Sequence, residues 1–324
     1  MLSLKDAQIR IKKEIENINL PDKPRSLYDP VKYILELGGK RIRPALVLLG
    51  ANMFSDNIKS AIDPAIGIEI FHNFTLLHDD LMDNSEIRRG KETVHNKWSP
   101  NISILSGDVM SILAGQFIAK SDSPLLNDIL STFNRTAIEV CEGQMLDMDF
   151  ENRLDVSIPE YLEMIRLKTS VLIAASLEIG ALAGGAELKS SKELYDFGLN
   201  LGLAFQLQDD LLDSYGDTGT FGKKVGNDIL TNKKTFLMIT ALNNSSAEDK
   251  THLLEILAQE NFDPDEKIKS VKSIYDKCSI KQLTIEKINH YFGLALQKLE
   301  DIDVEDERKA VLRKFSFELK EREY

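Results

Sequence analysis

Two aspartate-rich sets are the residues of this chain best suited to chemistry, and both have the spacing Asp-Asp-x-x-Asp. The first acidic set is Asp79, Asp80 and Asp83, and the second acidic set is Asp209, Asp210 and Asp213. On a helix, residues four apart lie one turn apart on the same face, so the outer carboxylates of each set would repel each other. A divalent cation between them relieves this repulsion, and Mg²⁺ suits oxygen ligands that leave room for water. Each set is therefore a candidate Mg²⁺ site.

Basic side chains near these sets indicate an anionic ligand. The basic loop, residues 38–44 with the sequence Gly-Gly-Lys-Arg-Ile-Arg-Pro, is predicted to precede a helix N-terminus, which is a favourable place for an anion. A solvated basic turn explains the loop equally well when it is taken alone, and any single cation is more often a surface charge. Acids that hold metal, with bases nearby, favour a bridging diphosphate. Mg²⁺ on a diphosphate stabilises its departure and leaves a carbocation if the attached group is allylic.

Helices must position these residues, because strand signals are scarce. The helix predicted at residues 60–82 is apolar on all sides, as expected of a central helix, and ends in the first acidic set. That end of a helix is electrostatically unfavourable for carboxylates, which favours a metal site over a structural role. A turn-rich connector is expected at 21–30 and a lysine-bearing loop at 216–226. Further helices are predicted at 4–18, 31–37, 44–54, 101–119, 124–148, 159–182 and 192–214, the last ending in the second acidic set.

Composition limits the class of protein. The formal net charge of −12 argues against a nucleic-acid binder, which needs a basic surface. The two cysteines fit a reducing compartment, and the first twenty residues have no apolar signal-peptide region. No uninterrupted apolar run reaches the roughly 18 residues of a transmembrane helix. We therefore expect a cytoplasmic protein without a transmembrane segment, built as one all-α domain over residues 1–324.

The motifs together resemble the trans-isoprenyl diphosphate synthases, short-chain geranylgeranyl or farnesyl diphosphate synthase type. The resemblance covers about residues 30 to 240. It rests on the basic loop, the two acidic sets in the family's order, Arg88-Arg89-Gly90, Lys168-Thr169 and the stretch from Phe205 to Asp209. It implies an all-α fold around a central active-site cavity. It also implies a homodimer that condenses isopentenyl diphosphate head-to-tail with an allylic diphosphate. The implied cofactor is Mg²⁺, about three ions in each active site.

The resemblance also implies a role for each matching residue. The two acidic sets would bind Mg²⁺, and Thr169 and Gln206 would steady the carbocation while the leaving pyrophosphate removes the final proton. The ligands of the allylic diphosphate would be Arg88, Lys168, Lys223 and Lys233. The ligands of isopentenyl diphosphate would be Lys40, Arg43, His72 and Arg89. The doubled residues Lys223/Lys224 and Lys233/Lys234 leave open which lysine of each pair is the ligand.

Helix geometry supports His72 as a companion of the first acidic set. His72 precedes Asp79 by seven residues, close to two turns, so both side chains can line one cavity. A lone histidine would more often be a satisfied core residue. Only its company with Lys40 and Arg43 favours a role as a ligand.

Three other functions are compatible with parts of the pattern. A class I terpene cyclase also uses an aspartate-rich motif, but its second motif would resemble Asn/Asp-Asp-x-x-Ser-x-x-x-Glu, which the second acidic set does not. A non-catalytic subunit of a heteromeric synthase usually lacks part of the acidic residues, and both sets are intact. A helical interaction protein with solvated acidic patches would not explain the paired cations.

Phe74 and Thr75 are predicted to set the product length. Phe74 lies five residues before Asp79, about 7.5 Å along a helix that rises about 1.5 Å per residue. Its ring could form the floor of the cavity in which the product grows. In the family that the chain resembles, bulky residues at this position accompany short products, and Thr75 is smaller than the paired aromatics of some farnesyl-producing relatives. We therefore expect a C20 product, with C15 as the alternative.

Replacing Phe74 by alanine is expected to lengthen the product, because it removes the floor of that cavity. The measurement is chromatographic sizing of the extracted prenyl products of Phe74→Ala beside those of the wild-type chain. An unchanged product distribution would contradict the assignment.

Overall fold

Helices form almost all of the regular structure in the computed structural model, which describes residues 1–216, 225–259 and 261–321. They are α1 (Leu4–Glu16), α2 (Arg25–Glu36), α3 (Ile42–Phe54), α4 (Lys59–Met82), α5 (Val94–Lys97), α6 (Pro100–Ile118), α7 (Leu126–Glu151), α8 (Ile158–Ile165), α9 (Val171–Ala183), α10 (Leu188–Tyr215), α11 (Asn227–Leu230), α12 (Phe236–Asn244), α13 (Ala247–Ala258), α14 (Pro264–Lys277), α15 (Ile280–Asp301) and α16 (Asp306–Lys320). A π-helical turn, Arg166–Ser170, joins α8 to α9, and two short strands, β1 (Ile87–Arg88) and β2 (Lys91–Glu92), form one antiparallel hairpin. The predicted all-α class is confirmed.

The chain forms two compact units, each assembled from three segments. Unit 1 comprises Met1–Ala137, Leu172–Tyr195 and Leu299–Arg313, and unit 2 comprises Ile138–Val171, Asp196–Lys298 and Lys314–Tyr324. The first acidic set and the basic loop belong to unit 1. The second acidic set belongs to unit 2. The single domain over 1–324 and the central cavity stay predictions.

The core of unit 1 is built around α4, as its all-round apolar sequence predicts. A continuous stretch of α4 from Pro64 to Phe71 is buried, and it packs against α3 and α6. Further along the same helix His72 and Phe74 are only partly buried, whereas Asp80 is buried again. The middle of the helix is thus fixed in the core, and its last turns carry the side chains that could bind metal or substrate.

Two sequence-based boundaries are wrong. The second helix begins at Arg25 and not at residue 31, so Pro30 lies inside α2 and the connector is shorter. A proline in a helix removes a backbone hydrogen bond, but Pro30 is buried with Val31 and Ile34, and this burial outweighs the loss. The predicted continuous helix 159–182 is interrupted by the π-helical turn, in which the N–H of Val171 bonds the carbonyl of Arg166.

Helix α6 passes a test of length and composition for crossing a membrane, alone among the helices of the described ranges. A third of its apolar window (33%) is buried inside the protein. Because the core helix of a globular protein passes the same test, this is weak evidence for a span.

Helices α3 and α9 of unit 1 approach each other so closely that only glycine fits at three contact points. A Cβ on Gly180 would lie 2.1 Å from the carbonyl oxygen of Val47, and one on Gly50 would lie 2.6 Å from that of Leu177. Gly184 is similarly pressed against the backbone of Ala51, at 2.5 Å. Since backbone atoms cannot rotate away, any side chain there forces the helices apart.

Substituting Gly180→Ala is expected to destabilise the protein by about 1–3 kcal/mol, because the added methyl group overpacks this contact. Gly115→Ala in α6 is the matched control. Its Cβ would lie 3.9 Å from the nearest atom, on Phe133, so it should stabilise by about 0.4–1 kcal/mol. Thermal unfolding followed by circular dichroism should show a lower Tm for Gly180→Ala and an equal or higher Tm for Gly115→Ala. Equal Tm values for both variants would refute the close approach.

Candidate active site

The first acidic set lies at the C-terminal end of α4 beside Arg88. The Arg88 Nε donates to both carboxylate oxygens of Asp80, at 2.8 and 2.7 Å, and its guanidinium is 3.6 Å from Asp79. Asp83 caps the helix, and its N–H donates to the carbonyl of Asp79 at 2.9 Å. Burial raises the pKa of Asp80, while the hydrogen bond from Arg88 opposes that rise. The Arg88 guanidinium thus offsets part of the cost of burying the Asp80 carboxylate.

The β1–β2 hairpin brings Arg88 back to α4. Its two central residues, Arg89 and Gly90, both have positive φ, 52° and 73°, as a tight two-residue hairpin requires. The Arg89 guanidinium points towards the basic loop, where it donates a hydrogen bond to the carbonyl of Gly38. A Cβ on Gly39 would lie 2.8 Å from that guanidinium, which explains the glycine. The hairpin thus links the first acidic set to the basic loop.

The basic loop brings together the residues expected to bind isopentenyl diphosphate. The Arg43 guanidinium is 3.3 Å from Nε2 of His72. The carbonyl of Lys40 accepts a hydrogen bond from Gln8 of α1 at 2.5 Å, while the Lys40 side chain is exposed. Lys40, Arg43 and Arg89 form a cluster of cations near the N-terminus of α3, and His72 lies beside them.

His72 is neutral at physiological pH. Burial lowers its pKa well below 6.5, and the charges of Arg43 and other nearby arginines lower it further. Its Nε2 therefore accepts the hydrogen bond that Arg43 donates. Burial also lowers the pKa of Arg43, to about 10, which leaves this guanidinium charged near neutral pH. The neutral imidazole can orient Arg43 without adding a competing charge.

Phe74 and Thr75 lie one to two turns before the first acidic set. The Phe74 ring packs against the rings of Phe71 and His78, with centroids 5.4 and 4.8 Å apart. The hydroxyl of Thr75 donates to the carbonyl of His72 at 2.8 Å and so is turned towards its own helix. Their role in product length stays a prediction.

The second acidic set lies in the last two turns of α10, where Asp210 is buried. Its carboxylate accepts hydrogen bonds from the Tyr161 hydroxyl at 2.5 Å and from the Gln206 amide at 2.9 Å. Asp213 accepts a bond from the backbone N–H of Asp228 at 2.9 Å. Burial, followed by the charge of Asp228, raises the pKa of Asp210 to about 7. This carboxylate therefore loses its proton most readily when a cation is near.

The π-helical turn presents Lys168 and Thr169. The Thr169 hydroxyl donates to the Gln206 carbonyl oxygen at 3.1 Å, so a chain of hydrogen bonds runs from Thr169 through Gln206 to Asp210. Lys168 forms an ion pair with Asp147 at 2.5 Å. Both residues are only partly buried. A π-helical turn shifts the direction of side chains relative to a regular α-helix, so it places these two groups differently from a continuous helix.

The structure distinguishes Lys233 from Lys234. Lys234 is buried, and its Nζ donates to the backbone carbonyls of Glu151 and Asn232 at 3.2 and 2.9 Å. Lys233 is close enough to Asp210 for its charge to lower the pKa of that carboxyl. Lys234 is therefore bonded in the interior, whereas Lys233 lies near the second acidic set, and its role as a diphosphate ligand stays a prediction. Lys223 and Lys224 lie outside the described residues.

Four residues that sequence reasoning left without a role belong to this machinery. Tyr161, Asp147 and Asp228 contact the residues of unit 2 described above, and Arg41 lies between two cations of the basic loop. Asp228 lies five residues before Lys233, which is only a weak signal, and Asp147 lies on α7 with no motif beside it. Tyr161 lies 49 residues from its partner Asp210, and no local pattern reveals it.

The donor set fits Mg²⁺ bound in part by water and substrate. No three His, Cys, Asp or Glu side chains form a ready metal cluster in the part of the chain that the structure describes. Mg²⁺ typically uses one or two carboxylates and completes its octahedron with waters and phosphate oxygens, so a closed protein cage is not required. The raised pKa values of Asp80 and Asp210 show carboxylates whose negative charge a cation would stabilise.

Comparison with known proteins agrees with this geometry. The family model described as polyprenyl synthetase matches residues 24–277. The geranylgeranyl pyrophosphate synthase of Geoglobus acetivorans is 38% identical over 302 residues, which cover 93% of this chain and 92% of that protein. The short chain isoprenyl diphosphate synthase of Methanothermobacter thermautotrophicus is 36% identical over 320 residues, 98% and 96% of the two chains. A crystal structure of a geranylgeranyl pyrophosphate synthase matches with a TM-score of 0.95 at 46% identity and covers 100% of both chains.

The helical fold is that of solved isoprenyl diphosphate synthase structures. Among proteins of this fold, the chain belongs to the polyprenyl synthetase family. It is a prenyltransferase, a trans-isoprenyl diphosphate synthase, as the sequence motifs predict. The family in general depends on Mg²⁺ and uses isopentenyl and allylic diphosphates as substrates.

Replacing Asp228 by asparagine should reduce the pH dependence of stability in the presence of EDTA. A carboxyl group whose pKa is higher in the folded than in the unfolded protein stabilises the fold in its protonated form. This stabilisation is complete below the unfolded pKa and is lost as the pH rises through the folded pKa. For Asp210 that window runs from 3.8 to about 7. Removing the Asp228 charge lowers the folded pKa, so Tm should fall less between pH 5 and pH 8 in Asp228→Asn than in the wild type.

The control is Asp196→Asn, which removes an ion pair with Lys298 elsewhere in unit 2. It should leave the pH dependence of Tm unchanged. Identical pH profiles for Asp228→Asn and the wild type would show that the Asp228 charge does not act on Asp210.

Proposed function

We propose that the chain condenses isopentenyl diphosphate with an allylic diphosphate to form geranylgeranyl diphosphate, a C20 product. The observation that carries the proposal is that each acidic set has a cation beside it. Arg88 contacts Asp79 and Asp80, and Lys233 acts on Asp210. Opposite charges arranged in this way suit a ligand that combines metal cations with phosphate anions. The names of the relatives described above support the chemistry and the product.

The two acidic sets would hold Mg²⁺, and the allylic diphosphate would bind to Arg88, Lys168, Lys223 and Lys233. When bound, Mg²⁺ neutralises the charge that develops on the departing diphosphate. Arg88 and Lys168 are held by acidic partners, Asp80 and Asp147, until they exchange them for phosphate oxygens. Guanidinium and ammonium groups with carboxylate partners stay charged and ready in position.

Isopentenyl diphosphate would bind to Lys40, Arg43, His72 and Arg89. In the reaction, the allylic carbon–oxygen bond breaks, and the double bond of isopentenyl diphosphate supplies the electron pair for the new carbon–carbon bond. A proton then leaves the condensed product for an oxygen of the released pyrophosphate. Thr169 donates its hydrogen to Gln206, which leaves its oxygen lone pairs available to stabilise the carbocation.

Product length would be limited by Phe74, with Thr75 beside it. The Phe74 ring is fixed by the rings of Phe71 and His78, so it can act as a rigid floor. A farnesyl diphosphate product of C15 is the alternative, because the position of the floor relative to the growing chain determines the last condensation.

We further propose a cytoplasmic homodimer whose chains each act as one domain over 1–324. Large aliphatic side chains on α6 support the dimer, since Ile104, Leu105 and Ile112 are 44%, 58% and 63% exposed on the face opposite the buried Ser103 and Met110. An apolar helix face of this kind is typical of an interface between chains. The free cysteines Cys141 and Cys278 are compatible with a reducing compartment.

The test is to incubate the purified protein with Mg²⁺, labelled isopentenyl diphosphate and each allylic starter of C5, C10 or C15, then extract and size the products. A C20 product is expected. Asp79→Ala should lower kcat by about 100-fold or more, because it removes a metal ligand worth several kcal/mol in the transition state. The helical circular dichroism signal should be unchanged.

Asp63→Ala, on the same helix but outside the acidic set, is the matched control and should keep wild-type activity. No product from the wild-type chain with any starter would favour a non-catalytic subunit. A C15 end product would favour the farnesyl alternative.

A further inference from the structure

Arg41 lies between the two cations of the basic loop, but its side chain points into the protein. It is 9% exposed, whereas Lys40 is exposed and Arg43 only partly buried. Its guanidinium donates to the carboxylate of Glu69 on α4 and to the carbonyl of Leu35 near the end of α2. Glu69 is 2% exposed. Arg41 therefore joins three elements of unit 1, namely α2, α4 and the N-terminus of α3.

The backbone of Arg41 has an unusual conformation. Its φ of 49° and ψ of 41° are left-handed, which costs a non-glycine residue roughly 1–2 kcal/mol. Such a conformation persists only when surrounding contacts fix it. The two hydrogen bonds of the buried guanidinium are those contacts. The backbone conformation of Arg41 at the start of α3 also affects where Lys40 and Arg43, on either side of it, direct their side chains.

Glu69 is itself held rigidly. The Asn73 amide donates to the Glu69 carboxylate and to the Glu69 backbone carbonyl, each at 2.8 Å. Both residues lie on the buried part of α4, next to His72. The anchor for Arg41 is thus on the same rigid helix that carries His72 and the first acidic set.

We propose that Arg41 is a positioning residue whose buried ion pair with Glu69 fixes the basic loop so that Lys40 and Arg43 bind isopentenyl diphosphate. The proposal rests on the proposed function, which assigns that substrate to the loop. Pairing Arg41 internally also removes a third cation from the surface on which the diphosphate is bound. A misplacement of about 1 Å at a binding group can cost up to about 100-fold in rate.

Two conservative variants test the pair. Arg41→Lys keeps the charge but loses the planar guanidinium, which donates to Glu69 from one nitrogen and to Leu35 from another. Glu69→Gln keeps the shape but removes the charge. Both should raise KM for isopentenyl diphosphate by about 10-fold or more, with KM for the allylic substrate and kcat at saturation within about twofold of wild type.

The direction of the Glu69→Gln effect separates positioning from simple electrostatics. If Glu69 acted only through its negative charge, removing that charge would strengthen diphosphate binding and lower KM for isopentenyl diphosphate. A higher KM is expected only if the carboxylate acts through the position of the loop. A lower or unchanged KM in Glu69→Gln would overturn the proposal.

Glu178→Gln is the matched structural control. Glu178 is a buried glutamate of unit 1 that accepts hydrogen bonds from Arg135 and Thr132 at 3.2 Å. Its substitution should lower Tm without changing KM for isopentenyl diphosphate. An equal rise of KM in Glu178→Gln would show that loss of stability alone explains the effect.

Gln8→Ala keeps the proposal falsifiable if both variants of the ion pair fail to fold. It removes only the hydrogen bond from α1 to the Lys40 carbonyl and leaves the buried pair intact. We expect a rise of about two- to fivefold in KM for isopentenyl diphosphate, equivalent to a lost hydrogen bond of about 0.5–1 kcal/mol. An unchanged KM would show that loop position does not limit binding. Absence of any product from wild-type protein would instead refute the proposed function.

Discussion

The burial of carboxylates at the ends of two helices is the constraint on which the rest of this structure depends. The dipole of α4 is negative where the first acidic set lies, and Asp210 is buried at the end of α10. Neither arrangement stabilises an isolated fold. Each is tolerated because donors surround the charge, Arg88 at the first set and Tyr161 with Gln206 at the second. Burial and neighbouring negative charges raise the pKa of Asp80 and of Asp210, so a cation bound beside either carboxylate would stabilise its charged form.

The cations face the complementary problem of staying charged while partly removed from water. Burial lowers the pKa of Arg43, and the carboxylate of Glu69 opposes that effect. Glu69 thus serves two arginines, as the direct partner of Arg41 and as a background charge for Arg43. His72 stays neutral beside them and adds no further repulsion. In such a cluster the Glu69 carboxylate offsets the repulsion among the arginines, so the cations can stay close enough together to bind a diphosphate.

Several residues with proposed roles lie where the backbone of this helical chain is irregular. Arg41 and Arg89 are left-handed, and the π-helical turn carries Lys168 and Thr169. Regular helices fix direction and spacing, but they present side chains only at fixed angles. A local departure re-aims a side chain while packed helices on either side hold it in place. In unit 1, the close backbone contact between Gly180 and Val47 holds α3, the helix that follows Arg41.

The sequence by itself determined the all-α class, the apolar central helix, the two acidic sets and the family, because these features are local patterns of period, spacing and residue type. Only the tertiary structure decided that α2 begins at Arg25, that a π-helical turn precedes α9, and that Lys233 rather than Lys234 acts on Asp210. It alone revealed the pairs Tyr161–Asp210 and Arg41–Glu69, whose members lie 49 and 28 residues apart. The physical reason is that burial and long-range hydrogen bonds can outweigh local propensity, and they depend on partners that no local pattern identifies.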